Sequence, residues 1–153
     1  MTVKEVIDED FVNYKETSMF IAFPTCNFKC GFENCQNSHL LTARNTNLSP
    51  ITLTNRYLRN PISKAVVIGG LEPFDSFYDL FNFIFNFRQQ CTDTIVIYTG
   101  YDRNELEDKL EWLAQQQNII IKYGRYMPDL EPRYDEILGV TLASSNQYAE
   151  IIT

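Results

Sequence analysis

Short apolar runs separated by amphipathic stretches make up most of the chain. Four mostly apolar runs are typical of strands that are buried on both faces of a parallel sheet. They predict strands over residues 19–23, 65–68, 94–98 and 119–122. Helical spacing and capping signals predict helices over about residues 52–59, from residue 75 or 76 to about residue 90, and from residue 102 through residue 113. Strands and helices are therefore expected in alternation.

The remaining segments carry weaker signals. Residues 3–7 predict a short edge strand, followed by an acidic turn at residues 8–10. Residues 36–50 are polar and rich in Asn, Ser and Thr, so they predict a loop. Residues 138–142 predict a fifth strand, and a polar tail follows it. No internal repeat or linker divides these elements.

The alternation of strands and helices predicts an α/β fold with a mostly parallel sheet. Four or five strand–helix units are too few to close an eight-unit barrel, so we predict an open partial (β/α) barrel. The length of 153 residues predicts a single domain over residues 1–153. Because functional groups in such sheets gather at the carboxyl ends of the strands, the loops after the predicted strands should share one edge.

Charge and composition then exclude some partners. Lys and Arg total 13 against 20 Asp and Glu, which gives a net charge of −7. An acidic chain is not expected to bind nucleic acid or an anionic membrane surface, and no apolar run of about 18 residues predicts a membrane span. Residues 1–5 do not resemble a signal peptide, so we expect a cytoplasmic protein. Cysteines in such a protein are more often metal ligands or redox-active thiols than members of disulfides.

The closest group of reactive residues is a cysteine loop directly after the first predicted strand. Cys26, Cys30 and Cys35 are separated by three and four residues. Three thiolates on a cubane of four irons leave one iron open for another ligand. A structural zinc ion is the alternative, but it needs four ligands, and the fourth would be His39 or Cys91. We expect Cys91 to be a buried structural thiol, because it precedes a strand and so lies at the opposite end of the sheet.

Polar and glycine residues follow the other predicted strands. Gly69 and Gly70 could be a plain turn, or their exposed backbone could hold an amine or a carboxylate beside Glu72, which can accept from an ammonium group. Thr99-Gly100 could equally be a simple strand-to-helix turn. Arg125 could lie on a solvated face or pair with a carboxylate or phosphate at the edge of the sheet. Residues 144–147 would ordinarily be taken as a frayed tail.

Taken together, these elements resemble the radical S-adenosylmethionine (SAM) enzymes, and most closely the small activating protein of anaerobic ribonucleotide reductase. The resemblance extends over nearly the whole chain. It rests on the cysteine loop and on five short elements in the order of that family: Cys35-Gln36-Asn37, Gly69-Gly70-Leu71-Glu72-Pro73, Tyr98-Thr99-Gly100, Gly124-Arg125-Tyr126 and Ser144-Ser145-Asn146-Gln147.

The resemblance implies a site as well as a fold. It implies a radical SAM-like barrel in which Cys26, Cys30 and Cys35 hold a 4Fe-4S cluster and are the catalytic residues. The residues implied to contact the cofactor S-adenosyl-L-methionine are Phe32, Asn37, Gly69, Gly70, Glu72, Thr99, Gly100 and Arg125. Three features depart from the family: its Gly-Gly-Glu-Pro element lacks the inserted Leu71, its cysteines are separated by three and two residues, and an aromatic residue usually precedes the last cysteine. Asn34 stands there in this chain, so Phe32 is the candidate to contact the adenine.

The implied activity is reductive cleavage of SAM to methionine and a 5′-deoxyadenosyl radical. In an activating enzyme this radical takes a hydrogen atom from a backbone glycine of a large partner, here a glycyl-radical protein such as anaerobic ribonucleotide reductase. The electron would come from a flavodoxin-like donor. Two alternatives stay open: a radical SAM enzyme that acts on a small molecule or peptide, and a non-catalytic module that binds zinc or an iron–sulfur cluster.

Overall fold

Four parallel strands form the centre of a six-stranded sheet. The computed structural model describes residues 1–153. Strands β3, β5, β6 and β7 are parallel and adjacent in sequence order, while β2 and β10 pair antiparallel at the two edges. The sheet order is β10-β7-β6-β5-β3-β2. The predicted α/β class with a mostly parallel sheet is confirmed, and the sheet is open, because its two edge strands do not pair with each other.

The elements have the following bounds. The strands are β1 (Thr2–Val3), β2 (Glu5–Asp10), β3 (Ser18–Phe23), β4 (Thr46–Asn47), β5 (Ala65–Gly70), β6 (Thr94–Tyr98), β7 (Ile119–Tyr123), β8 (Arg133–Asp135), β9 (Val140–Leu142) and β10 (Tyr148–Ile151). The α-helices are α1 (His39–Thr42), α2 (Pro50–Arg59), α3 (Phe77–Arg88) and α4 (Glu107–Leu113), and short 3-10 helices cover Phe32–Asn34, Pro73–Ser76 and Arg103–Leu106.

The two faces of the sheet are covered differently. One face, called the helical face here, packs against α2, α3 and α4 through a cluster of 21 buried residues that includes Ile68, Ile97 and Phe83. The opposite face, called the open face here, carries a smaller cluster of eight buried residues. Because side chains alternate along each strand, β5, β6 and β7 supply residues to both clusters, whereas β3 supplies the larger cluster and only its partly buried Phe20 packs against the smaller one.

Helix starts follow the sequence signals. Ser49 accepts a hydrogen bond from the Thr52 backbone N–H at 3.0 Å, and Pro50 occupies the first turn of α2. The capping box of Asp102 and Glu105 is present, although the chain first forms a 3-10 turn and α4 begins only at Glu107. These caps fix where the chain leaves the edge of the sheet at which the parallel strands end.

Three predictions for the weaker segments were wrong, and a fourth was right only in part. Residues 8–10 continue β2 instead of forming a turn, and residues 36–50 contain α1 and the short strand β4, which pairs with β1. The predicted fifth strand is reduced to β9, which pairs with β8 outside the main sheet. The sixth strand of the sheet is β10, in the segment expected to be a tail. Its sequence alternates polar and apolar residues because it is an antiparallel edge strand.

None of the helices is long and apolar enough to cross a membrane.

Candidate functional site

The cysteine loop begins where β3 ends, at the carboxyl edge of the sheet. Hydrogen bonds tie it to the segment after β5: the Glu72 N–H donates to the Thr25 carbonyl oxygen at 2.7 Å, and the Asn27 N–H donates to Asp75 Oδ2 at 2.8 Å. Phe28, between the first two cysteines, and Gly31, directly after the second, both have positive φ, of 55° and 85°, so the chain turns tightly on both sides of Cys30. The loop is therefore held by the neighbouring strand end.

Cys26, Cys30 and Cys35 are free, partly buried thiols that line one cavity of about 310 Å³. No three His, Cys, Asp or Glu side chains are grouped so as to hold a metal ion, so the thiols share a cavity wall without forming a closed ligand set. His39 is exposed and Cys91 lies outside the cavity. Three free thiols on one wall are nevertheless a donor set that suits an iron–sulfur cluster. Ligation by these cysteines stays a prediction.

Burial governs the charge of these thiols. It raises the pKa of Cys26 to about 11, although the Phe28 N–H donates to Cys26 Sγ at 3.2 Å and opposes the shift. Burial also raises the pKa of Cys30, with a further contribution from Cys35. The carboxylates of Glu72 and Asp75 add to the rise at Cys26. The unliganded thiols of Cys26 and Cys30 are therefore protonated near neutral pH, and binding of iron by these two as thiolates releases protons.

The structure changes the interpretation of Gly69 and Gly70, because β5 continues through both residues. They pair with Ala22 and Phe23 of β3, and both are buried. The predicted turn at Gly69 with exposed backbone groups is therefore wrong. Gly69 does not line the cavity, whereas Gly70 lines it and has a φ of 91° at the point where the strand ends.

Glu72 forms a bridge between the ends of β5 and β6. Its side chain is 4% exposed, yet it lines the cavity. Oε1 accepts from the Thr99 hydroxyl at 2.8 Å and from the Phe74 N–H at 3.1 Å, and Oε2 accepts from the Gly100 N–H at 2.9 Å. A carboxylate has about four acceptor positions, so one position on Oε2 is left for a ligand. Burial raises the pKa of Glu72 to about 7, against these hydrogen bonds.

This shift predicts that Glu72 makes stability depend on pH. A raised pKa in the folded state contributes stability that is fully present below pH of about 4.5 and is lost as pH rises through about 7. For iron-free protein, we expect Glu72→Gln to remove about 3 kcal/mol of the change in unfolding free energy over this range, measured by urea titration. Glu33→Gln, at an exposed carboxylate, is the control. An unchanged pH profile in Glu72→Gln would contradict the buried titration.

The side chains of Thr99 and Arg125 already form hydrogen bonds or ion pairs with other residues of the protein. Thr99 is 3% exposed; its hydroxyl donates to Glu72, accepts from the Tyr101 N–H at 3.0 Å and does not line the cavity. Arg125 lines the cavity, but its guanidinium pairs with Glu105 at 2.9 Å and stacks over the Tyr101 ring at 5.5 Å. Gly100 lines the cavity directly. Of these three residues, only Gly100 and Arg125 are placed where a ligand could touch them.

Asn37 and Phe32 have different surroundings. Asn37 Nδ2 donates to the Gly70 carbonyl oxygen at 2.8 Å, so it joins the end of the cysteine loop to the end of β5 in the cavity wall. Phe32 is 60% exposed, packs edge-to-face on Phe28 at 5.4 Å and does not line the cavity. Asn37 is therefore beside a possible ligand, and Phe32 is not.

Residues 144–147 are ordered and close the end of β7, which corrects the expectation of a frayed tail. Ser144 is fully buried, and its Oγ accepts from the Met127 N–H at 3.2 Å. Gln147 Nε2 donates to the Gly124 carbonyl oxygen at 3.2 Å, and Asn146 Nδ2 donates to the Arg125 carbonyl oxygen at 2.8 Å. Gln147 also lines the cavity.

Sequence reasoning assigned no role to Lys122, which is 7% exposed and lines the same cavity. Burial lowers its pKa to about 8, and the charge of Glu72 opposes the shift. The signal was present in the sequence: a lysine interrupts the apolar strand Ile119–Tyr123 two residues before Gly124. Lysines are rarely buried unless something pairs with them.

Comparison with known proteins supports the expected cofactor. A family model described as a 4Fe-4S single cluster domain matches residues 15–148, a range that includes the cysteine loop and all four parallel strands. The match covers most of the chain, so the protein belongs to the 4Fe-4S single cluster domain family. Comparison with curated proteins gave no match, and comparison with solved structures gave none either.

Proposed function

We propose that this chain is a radical SAM enzyme whose cluster is held by Cys26, Cys30 and Cys35. The observation that carries the proposal is one cavity lined both by these three free thiols and by Gly70, Glu72, Gly100 and Arg125, which follow or end the neighbouring strands. An electron-transfer or structural module needs the thiols alone. A cavity that continues from the thiols along the strand ends is what a second, organic cofactor requires.

A reduced 4Fe-4S cluster would supply one electron to SAM, breaking its C5′–S bond to give methionine and a 5′-deoxyadenosyl radical. Three cysteines leave one iron for the amino and carboxylate groups of SAM. The free acceptor position on Glu72 Oε2 would take a hydrogen bond from an N–H of this iron-bound amino group. Asn37 would keep the cysteine loop against Gly70 while the ligand is bound. In this proposal the parallel sheet is the open barrel of a radical SAM-like fold.

We further propose that the substrate is a glycyl-radical protein, such as anaerobic ribonucleotide reductase. The cavity of about 310 Å³ is at the small end of ligand sites, which span roughly 300–1,000 Å³, so the cluster and SAM would leave no room in it for a separate small-molecule substrate. Val12 lines the cavity and is 73% exposed, so the cavity opens beside an apolar surface that a protein could cover. The radical would take a hydrogen atom from a glycine Cα, leaving a glycyl radical and 5′-deoxyadenosine. A flavodoxin-like protein would donate the electron.

Anaerobic reconstitution followed by reduction with dithionite tests this function. We expect methionine and 5′-deoxyadenosine to form from SAM, and Cys30→Ala to abolish both products while Cys91→Ala retains them. SAM that survives intact with the loaded wild-type protein would exclude both radical SAM hypotheses and leave the non-catalytic cluster module. Formation of a glycyl radical on an added partner protein then separates the activating enzyme from one that acts on small molecules.

A further inference from the structure

Lys122 places a buried ammonium group in the cavity that the cysteines line. It lies on the open face near the end of β7, between Tyr98 of β6 and Ala149 of β10 in the register of the sheet. The side chain is 7% exposed and forms part of the cavity wall. The cavity therefore extends from the loop that carries the thiols to a positive charge at the level of the sheet.

No carboxylate forms an ion pair with this ammonium group, and the charge of Glu72 acts on it only at longer range. Lys122 Nζ donates one hydrogen bond, to the Gly124 carbonyl oxygen at 3.2 Å. None of the ion pairs in the structure includes Lys122, and the other close group is the Tyr98 ring, whose centroid is 5.6 Å away. An ammonium group carries three donors, so two are left without a protein acceptor. A buried charge in this state destabilises the fold, so stability does not explain this lysine.

The charges around the cavity limit which ligand group could pair with the Lys122 ammonium group. Lys122 has one positive charge, and the Arg125 guanidinium in the same wall is already paired with Glu105. An ionised Glu72 in the wall would repel a doubly charged phosphate about twice as strongly as a singly charged carboxylate, and recognition of phosphate normally uses several donors or arginines. A single carboxylate matches one ammonium group in both charge and number of hydrogen bonds.

We propose that Lys122 binds a carboxylate of the molecule that occupies this cavity. The source of the carboxylate rests on the function proposed above: it is either the amino-acid portion of SAM or an acidic group of the substrate. The two sources share the same chemistry at Lys122 Nζ and are separated by experiment.

Lys122→Met tests the assignment, because methionine keeps most of the length and removes the charge. Lys64→Met is the matched control: Lys64 is exposed and also donates to one backbone carbonyl oxygen, that of Pro61, at 2.8 Å. Binding of SAM and of decarboxylated SAM to the iron-loaded proteins is measured by equilibrium dialysis. Binding of acetate and glutarate is measured by nuclear magnetic resonance titration of the same proteins.

Loss of a charge-assisted hydrogen bond should weaken binding by about tenfold or more. If SAM supplies the carboxylate, Lys122→Met should bind SAM about tenfold or more weakly than the wild type does, while its affinity for decarboxylated SAM is unchanged. If the substrate supplies it, SAM binding is unchanged, and the weak binding of acetate or glutarate to the wild type is lost in Lys122→Met. Equal binding of all four ligands by wild type, Lys122→Met and Lys64→Met would overturn the proposal.

The melting temperature separates a ligand-binding lysine from a structural one. If Lys122 binds a ligand and has no ion-pair partner in the protein, the melting temperature of Lys122→Met should equal or exceed that of the wild type. Removal of a structural lysine would lower it. A large decrease together with unchanged ligand binding would show a structural role and refute the proposal. If wild-type protein binds carboxylates but not SAM, the radical SAM function fails while the role of Lys122 stands.

Discussion

Cys30→Ala is expected to lower bound iron after anaerobic reconstitution from about four atoms per chain to nearly none. Cys30 lies between the other two cysteines in sequence and lines the cavity with them. Two thiolates from Cys26 and Cys35 would leave two irons of a cubane without protein ligands. The measurement is iron and sulfide content, together with the visible absorbance of the cluster.

Cys91→Ala is the matched control for this experiment. Cys91 is also a free, partly buried thiol, but it follows α3 at the opposite end of the sheet, where its carbonyl oxygen accepts from Arg88 at 3.1 Å. It should bind as much iron as the wild type. Full iron content in Cys30→Ala, or equal loss in both variants, would contradict the assignment of the cluster to the loop.

Gly70→Ala should lower the free energy of unfolding by about 3 kcal/mol, or the melting temperature by roughly 6 to 12 °C. Gly70 has a φ of 91°, which favours glycine, and a Cβ there would lie 2.7 Å from the Phe23 backbone nitrogen and 2.8 Å from Ala22 Cα. These atoms belong to the paired strand β3, so they cannot move without breaking the sheet. Urea and thermal unfolding of iron-free protein measure the loss.

Gly100→Ala is the control for this substitution. Its φ is not in the left-handed region, and the nearest atom to a Cβ there would be Arg125 Cγ at 3.5 Å, an ordinary contact. The N–H that donates to Glu72 is kept in alanine. We expect a change of less than about 1 kcal/mol. A similar loss in both variants would mean that the backbone of Gly70 is not constrained as the structure indicates.

The central strands were predictable because each is mostly apolar on both of its faces, as burial on both sides of the sheet requires. The edge strand β10 was not, because its four residues carry the mixed pattern of a strand with one covered face. In the hairpin of β8 and β9, the strand segment of β9 was predicted, but β8 was missed because it has only three residues, of which two are exposed. Pairing partners are set by tertiary packing, and local periodicity does not encode them.

Within the site, the sequence located the loops but not the contacts of their side chains. Nothing in the spacing of Glu105 and Arg125 indicates that they form an ion pair at 2.9 Å. Likewise, the hydrogen bond between Thr99 and Glu72 could not be predicted from the sequence, because it depends on the ends of β5 and β6 being adjacent in space. Lys122 could have been found, since a lysine in an apolar strand is a signal that needs no tertiary information.

Electron paramagnetic resonance of the reduced, iron-loaded protein with and without SAM tests the central claim most directly. The claim is that three cysteines leave one iron of a 4Fe-4S cluster open to SAM. Coordination of that iron by the amino and carboxylate groups would change its electronic environment, so we expect the spectrum of the reduced cluster to shift when SAM is added. An identical spectrum at saturating SAM would show that the iron is not open to this ligand and would contradict the proposed function.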